Sequence, residues 1–488
     1  MPVGTVGVLW YSFAMADHVA AALDKMRAAG AHPAELAAMT RRLEQLDDPD
    51  AGRLSGDVLE PLDDLPLLDE LPEPAPERAR EVLDRLVVVK LNGGLGTSMG
   101  LSGPKSLLEV KRGSSFLNVI ATQVLALRER HGARLPLVVM NSPSTQGPSL
   151  EVLKRYVGLR GQEVPLDFLQ GREPKLRADD LQPVEWSANP DLEWCPPGHG
   201  DLYTALAASG MLETLLGAGL RWIFVSNSDN LGALADVRIA AWVAGEEVPF
   251  AMEAVRGTPA DRKGGHLARR DGQVVLRETA QVPEGDPSFG DVDRWRYYNS
   301  NNLWVDLQAL KDLQAADPGA PVLPLIVNRK TVDPRDKTSP AVIQLETAMG
   351  AAVGSIPGAR AVQVPRSRFA PVKTTNDLLV VRSDAYELTS DGRVAPTFDG
   401  PGPVVTLDDD HYKMVPDFER RFPAGAPSLR RCGRLEVDGE VTFGADVVVE
   451  GDVHVEGPLR VADGEILRGE RACERADVTA PARSADRA

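Results

Sequence analysis

Residues 90–106 read KLNGGLGTSMGLSGPKS and carry the strongest chemical signal in the chain. They directly follow an apolar run, Leu86–Lys90, that reads as a buried strand. Glycines let backbone N–H groups approach a ligand closely and form a concavity that holds anions, and a lysine such as Lys105 supplies the opposing charge. That combination suits a nucleoside triphosphate. Neither familiar phosphate loop fits. A Walker loop needs lysine directly after glycine, but Pro104 separates Gly103 from Lys105, and a GxGxxG motif starting at Gly94 would need glycine where Met99 stands.

Two further positions invite chemistry. His199 lies between Gly198 and Gly200. A lone histidine is more often structural, but flanking glycines pack poorly in a core and allow close approach to a ligand. Asp229 follows the apolar run Trp222–Val225 in the segment SNSDN, next to Asn227 and Ser228. An Asx turn is the bland reading. The functional one is a contact to a ligand gathered at the end of a buried strand.

These residues need a frame. From about Leu86 short apolar runs alternate with helical patterns, and each run ends in small polar residues: Leu86–Lys90, Leu137–Met140 and Trp222–Val225. Buried parallel strands read this way, and ligands gather at the carboxyl ends of such strands. The expected fold class is α/β, a mostly parallel, Rossmann-like sheet with helices on both faces. Phe116, Ile120, Val124 and Leu127 mark one of those helices. Ahead of the sheet, Val19, Leu23 and Met26, then Leu36, Met39, Leu43 and Leu46, predict a helical hairpin broken at His32 and Pro33. Residues before Met15 read as a poorly ordered extension. The Pro-rich acidic stretch 57–76 reads as an extended strap.

Beyond Pro427 the period becomes six. Leu435, Val441, Val447, Val453 and Leu459 are six apart, as are Val437, Phe443, Val449, Val455 and Val461, with glycine or alanine in a third row. A short left-handed hexapeptide β-helix is expected, with a β-meander as the alternative. The domain boundaries follow: 1–80 for hairpin and strap, 81–390 for the catalytic domain, 391–427 for a linker, and 428–488 for the β-helix and a flexible tail.

The chain of 488 residues is 43% apolar and 26% charged, enough for a large core. Its net charge of −17 disfavours nucleic acid and anionic membrane surfaces as partners. Cys195, Cys432 and Cys473 have no metal-module spacing, and a reducing cytoplasm is expected. No signal peptide or membrane helix is read.

The glycine run, LNGGLGTSMG followed by GPKS, resembles the nucleotide loop of the UTP–glucose-1-phosphate uridylyltransferase family, in its longer eukaryotic-type form. PPGHGD (196–201), SNSDNLGA (226–233), KGGHL (263–267), NSNNLW (299–304), QLETAMGAA (344–352) and VPRSRFAPVKTTNDLL (364–379) match it in order. The resemblance implies a Mg²⁺-dependent nucleotidyltransferase in which glucose 1-phosphate attacks the α-phosphorus of UTP in line and pyrophosphate leaves. Such transfers need positioning and charge neutralisation more than covalent catalysis.

By the same resemblance Leu91, Asn92, Gly93 and Gly94 meet the nucleotide. Lys105 contacts the triphosphate, and Gln170 with the backbone at Gly198 selects uracil. His199, Asn227 and Ser228 meet the sugar phosphate, while Asn301, Asn302 and Glu346 line the sugar pocket. Asp229 binds magnesium, and Lys373 offsets transition-state charge. Lys263 is a further phosphate candidate, and Arg366 and Arg368 either add to the field or brace their loop. Ser102 departs from the family's usual lysine. Open β-helix ends make a homo-oligomer plausible. A pyrophosphorylase for N-acetylhexosamine 1-phosphate and a non-catalytic sugar-nucleotide sensor are the rival readings.

Overall fold

The computed structural model describes residues 6–48, 52–111, 113–398, 400 and 402–472. They form two compact units. The first comprises Met1–Leu95, Gly103–Leu108 and Ser114–Pro371; the second comprises Gly96–Ser102, Glu109–Gly113 and Val372–Ala488.

The first unit opens with helices Val6–Ala28 and Pro33–Asp47. The first helix begins ahead of Met15, so the expected extension is helical from Val6 onward, and residues 1–5 lie outside those described. The break between the helices has a local cause. His32 accepts the Ala34 N–H, Glu35 accepts the His32 N–H, and Pro33 sits at the first helical position, where its missing donor costs nothing. The hairpin buries Leu23, Met26, Met39 and Leu43 against Leu176, Ile343 and Leu345 of a three-stranded sheet. Next, the strap pairs Glu60 with Arg269, and the Pro66 carbonyl accepts the Gln363 N–H.

The centre of this unit is a nine-stranded sheet. Its strands are β1 Leu86–Asn92, β2 Leu137–Asn141, β3 Asp167–Leu169, β4 Trp222–Asn227, β5 Phe250–Arg256, β6 His266–Arg270, β7 Gln273–Arg277, β8 Tyr297–Asp306 and β9 Arg360–Val364. Strands β3, β2, β1 and β4 run parallel, and so do β5 and β9. Val87, Val89, Ile223 and Val225 are fully buried, which explains their unbroken apolar runs.

The remainder departs from a parallel reading. Strand β8 is antiparallel to both β4 and β5, and β6 and β7 form a hairpin whose turn residues, Asp271 and Gly272, both have positive φ. The sheet is therefore parallel among the strands around the glycine run and between β5 and β9, with β8 and the β6–β7 hairpin set antiparallel.

In the second unit, Val404–Leu407, Ser428–Asp438, Val448–Glu456 and Ile466–Ala472 form one parallel sheet, and Val441–Phe443 pairs in parallel with Leu459–Val461. Eighteen residues separate many of the partners: Leu435 faces Val453, Val441 faces Leu459, and Val449 faces Leu467, while beyond a register shift Val453 faces Gly469, sixteen away. Three hexads thus make one repeat. Nine of the ten hexad positions are buried, and Leu459 is half-exposed. Parallel pairing overturns the meander alternative, which requires antiparallel neighbours. The expected tail and Cys473 lie outside the described residues.

Candidate active site

Register alone brings the polar strand ends together. Asn92 of β1 stands beside Asn141 of β2, and Leu91 stands beside Asn227 of β4. At these carboxyl ends lies a cavity of about 290 Å³. Its walls are Leu91, Asn92, Gly93, Gly94, Lys105, Ser106, Met140, Gln170, Pro196, Gly198, His199, Asn227, Ser228 and Asp229. Widely separated segments of the sequence converge there. A larger groove of about 1390 Å³, lined by Lys25, Asp179 and Trp186 among others, contains none of the glycine motifs.

Each wall residue has a local support. The Asn92 side chain points away from ligand chemistry: its Nδ2 donates to Asn141 Oδ1 at 2.7 Å and Ser149 Oγ at 2.8 Å, locking β1 to β2. Ser228 Oγ donates to the Leu91 carbonyl at 2.7 Å and ties β4 to β1. The Lys105 N–H donates to the Gly94 carbonyl, closing the loop on its lysine. Gly93 leaves room for the Gln170 amide, since a Cβ there would stand 2.2 Å from Gln170 Oε1 and push the end of that side chain aside. Gly198 has φ +82°, and a Cβ would meet the Thr347 carbonyl oxygen at 2.6 Å. His199 Nδ1 accepts the Met349 N–H at 3.1 Å, so the proton of the neutral ring resides on Nε2.

Lys105 Nζ meets Asp229 Oδ2 at 2.8 Å. The other carboxylate oxygen, Asp229 Oδ1, is buried without a hydrogen-bond partner. That orphaned oxygen fits a cation ligand. Among the described residues no group of three or more His, Cys, Asp or Glu side chains could enclose a metal. A single aspartate is enough for Mg²⁺, which takes one or two protein carboxylates beside waters and phosphate oxygens.

Sequence reasoning missed three wall residues, Ser106, Met140 and Pro196, although each lies inside or beside a motif it had singled out. It also missed Lys90. This side chain is buried, donates to Ser226 Oγ at 2.6 Å and the Ala233 carbonyl at 2.8 Å, and braces the loop after β4. Burial pulls its pKa down to about 7, with Arg368 adding and Glu253 opposing.

Other anticipated residues lie elsewhere. Asn302 is fully buried and does not line the cavity: its Nδ2 donates to Glu253 Oε2 at 3.0 Å and its Oδ1 accepts from Asn230. Asn301, with φ +56°, sits in a bulge of β8 and exchanges hydrogen bonds with Asn299. Glu346 is also absent from the cavity wall, but its Cβ lies 3.0 Å from where a Cβ on Gly198 would be. Lys263 is exposed.

Both arginines brace. Arg366 pairs with Asp261 through two hydrogen bonds at 2.8 and 2.9 Å, and Arg368 grips buried Glu253 at 2.8 and 2.6 Å. Lys373 belongs to the second unit, exposed at the entrance of helix Thr375–Arg382. Its N–H and that of Thr374 both donate to Asp377 Oδ2, in a capping box.

Residues 37–450 match the family model described as UTP–glucose-1-phosphate uridylyltransferase. The enzyme of that name from Solanum tuberosum is 40% identical over 421 residues, covering 84% of this chain and 85% of its own. A structure of the UDP-glucose pyrophosphorylase from Leishmania major, solved in open and closed forms, superposes with TM-score 0.85 at 40% identity, covering 93% of this chain and 99% of that one. The crystal structure described as UDP-glucose phosphorylase from Trypanosoma brucei gives 0.85 at 41%, covering 94% and 100%. With the glycine loop, the Lys105–Asp229 pair and these likenesses in agreement, the chain belongs to the UTP–glucose-1-phosphate uridylyltransferase family.

Proposed function

We propose that the cavity at the ends of β1, β2 and β4 is where this chain carries out its family's reaction, the conversion of UTP and glucose 1-phosphate to UDP-glucose and pyrophosphate. The Lys105–Asp229 pair beside the glycine loop, with Asp229 Oδ1 unpartnered, is the observation that supports this most directly. A phosphate oxygen of glucose 1-phosphate forms the new bond to the α-phosphorus of UTP as the bond to the β-phosphate oxygen breaks. No general base is required, because the attacking phosphate is already ionised near neutral pH.

The loop backbone at Leu91, Asn92, Gly93 and Gly94 receives the nucleotide. The Gln170 amide offers donor and acceptor to the uracil edge beside Gly198. Lys105 neutralises the triphosphate, Asn227 and Ser228 meet the sugar phosphate, and His199 donates to it through Nε2. Asp229 holds Mg²⁺, which would supply charge neutralisation on phosphate oxygens when bound. Asn301 and Glu346 serve the glucose hydroxyls, and Asn302 supports them from behind through Asn230 and Glu253. Lys373 offsets the charge of the transition state. Within residues 428–472 the parallel strands act as a short left-handed β-helix whose open ends pair with another copy. The buried free thiols of Cys195 and Cys432 suit a cytoplasmic enzyme.

A pyrophosphate-release assay with UTP, Mg²⁺ and a panel of glucose, galactose and N-acetylglucosamine 1-phosphates tests this reading. Glucose 1-phosphate with UTP should give the highest kcat/KM. Faster turnover of N-acetylglucosamine 1-phosphate would overturn the sugar assignment, and binding without turnover of any substrate would favour a sensor.

A further inference from the structure

Behind the cavity wall lies a group of buried charges that the reaction above leaves unused. Asp201 is 2% exposed, and its Oδ2 accepts the Gly171 N–H at 2.6 Å. Gly171 directly follows Gln170, and Asp201 comes two residues after His199. One carboxylate oxygen thus fastens the segment bearing the amide to the turn bearing the imidazole. Two residues beyond Gly171, fully buried Glu173 is ion-paired at 2.8 Å with Arg42 of the helix Pro33–Asp47. The short stretch 170–173 is held at both ends.

The fit is tight. A Cβ on Gly171 would stand 2.8 Å from Glu35 Oε1 and 3.2 Å from Asp201 Oδ2. Arg42 attracts Asp201 and Glu35 repels it, while burial, the largest influence, pushes the Asp201 pKa up to about 6. Burying a carboxylate costs several kcal/mol before its partners repay it, and a neutral acceptor would suffice merely to satisfy one N–H. What a carboxylate adds is a shorter, stiffer hydrogen bond.

We infer that Asp201 is a positioning residue for substrate selection, setting the separation between Gln170 and His199 and so linking recognition of the base to recognition of the sugar phosphate. This rests on the reading of Gln170 and His199 given above.

The test compares Asp201→Ala, Asp201→Asn and Gln170→Leu with the parent full-length enzyme, measuring kcat and KM for UTP and CTP. In Asp201→Ala the KM for UTP should rise about tenfold and the preference for UTP over CTP should fall about fivefold, the size expected from one lost buried hydrogen bond, with kcat little changed. Asp201→Asn, whose Oδ1 can still accept from Gly171 through a longer, weaker bond, should recover only part of both. A drop in active fraction with KM and base preference unaltered would show a purely structural role and overturn the inference. Should Asp201→Ala fail to fold, Asp201→Glu displaces the same oxygen, and an unchanged base preference there overturns it equally. Gln170→Leu separates the two levels. If it leaves base preference intact, the base-site reading fails and the linkage with it. If it lowers the preference while Asp201→Ala does not, only the linkage fails.

Discussion

At the cavity, neighbours in space are remote in sequence: Asn92 meets Asn141 across 49 residues, and Lys90 meets Ser226 across 136. In the C-terminal parallel strands neighbours are close in sequence, commonly eighteen positions away, as Val441 is from Leu459. The first arrangement gathers unlike groups, a glycine loop, an imidazole, a lysine and a carboxylate, into one concavity. The second stacks like upon like and builds an apolar interior without a polar centre. Chemistry needs diversity at a point, and repetition supplies only surface and rigidity. Substitutions in the two regions should therefore fail in different ways.

The largest effects should follow loss of the charges assigned to the reacting phosphates. Lys373→Ala should lower kcat by about a hundredfold or more while leaving the denaturation midpoint near the parent's, because an exposed cation contributes to the transition state rather than to packing. A kcat close to the parent's would remove Lys373 from the reaction. Asp229→Ala should cost a similar factor and also displace the Mg²⁺ titration of activity. An unaltered titration curve would mean that the ion is held elsewhere.

Leu435→Ala should have the opposite signature. It removes a fully buried side chain from the repeat and should destabilise the C-terminal strands by about 2–5 kcal/mol with KM for UTP unchanged, read from limited proteolysis alongside kinetics. Altered kinetics with intact stability would erase the contrast between the regions. Gly93→Ala should be milder. The new methyl presses on the flexible end of Gln170 and should raise KM for UTP about threefold to tenfold with a small change in kcat.

The smallest effect is electrostatic. Burial pushes the Glu173 carboxyl up to about 7, against an ordinary 4.5, with Arg42 pulling the other way. The folded state then holds this proton more tightly than the unfolded chain. The resulting stability is complete below about pH 4.5 and is lost as pH rises through about 7. The urea midpoint of the parent relative to Glu173→Gln should accordingly be higher at about pH 5 than at about pH 8. A pH-independent difference would show that Glu173 titrates normally.

Legibility in the sequence followed the same divide. The hexad period of residues 435–461 translates almost directly into buried positions, because a repeat confined to one segment needs no distant partner to be interpreted. The cavity was readable through its motifs, whose glycines and polar residues sit where buried strands end. The antiparallel placement of β8 was not readable, since a strand buried on both faces shows the same apolar run in either direction. Asn302 looked like a ligand residue because an amide pattern does not reveal its partners. Glu253 and Arg368, which occupy the Asn302 side chain and its surroundings, are supplied from 49 and 66 residues away. Lys90 and Asp201 were hidden for a related reason: a charged residue inside a functional motif invites a ligand role, and only tertiary structure reveals that it serves as a strut.

The eighteen-residue spacing has a consequence for how this end of the chain can change length. Adding or deleting a single residue within a strand would put the side chains after it out of phase with the layer beneath, turning valines outward and acids inward, until a bulge such as the one between Val449 and Val453 absorbs the slip. Adding a whole eighteen-residue rung would preserve the phase and lengthen the stack by one strand layer. The segment behaves as a ruler: full graduations fit directly, and fractions need a bulge.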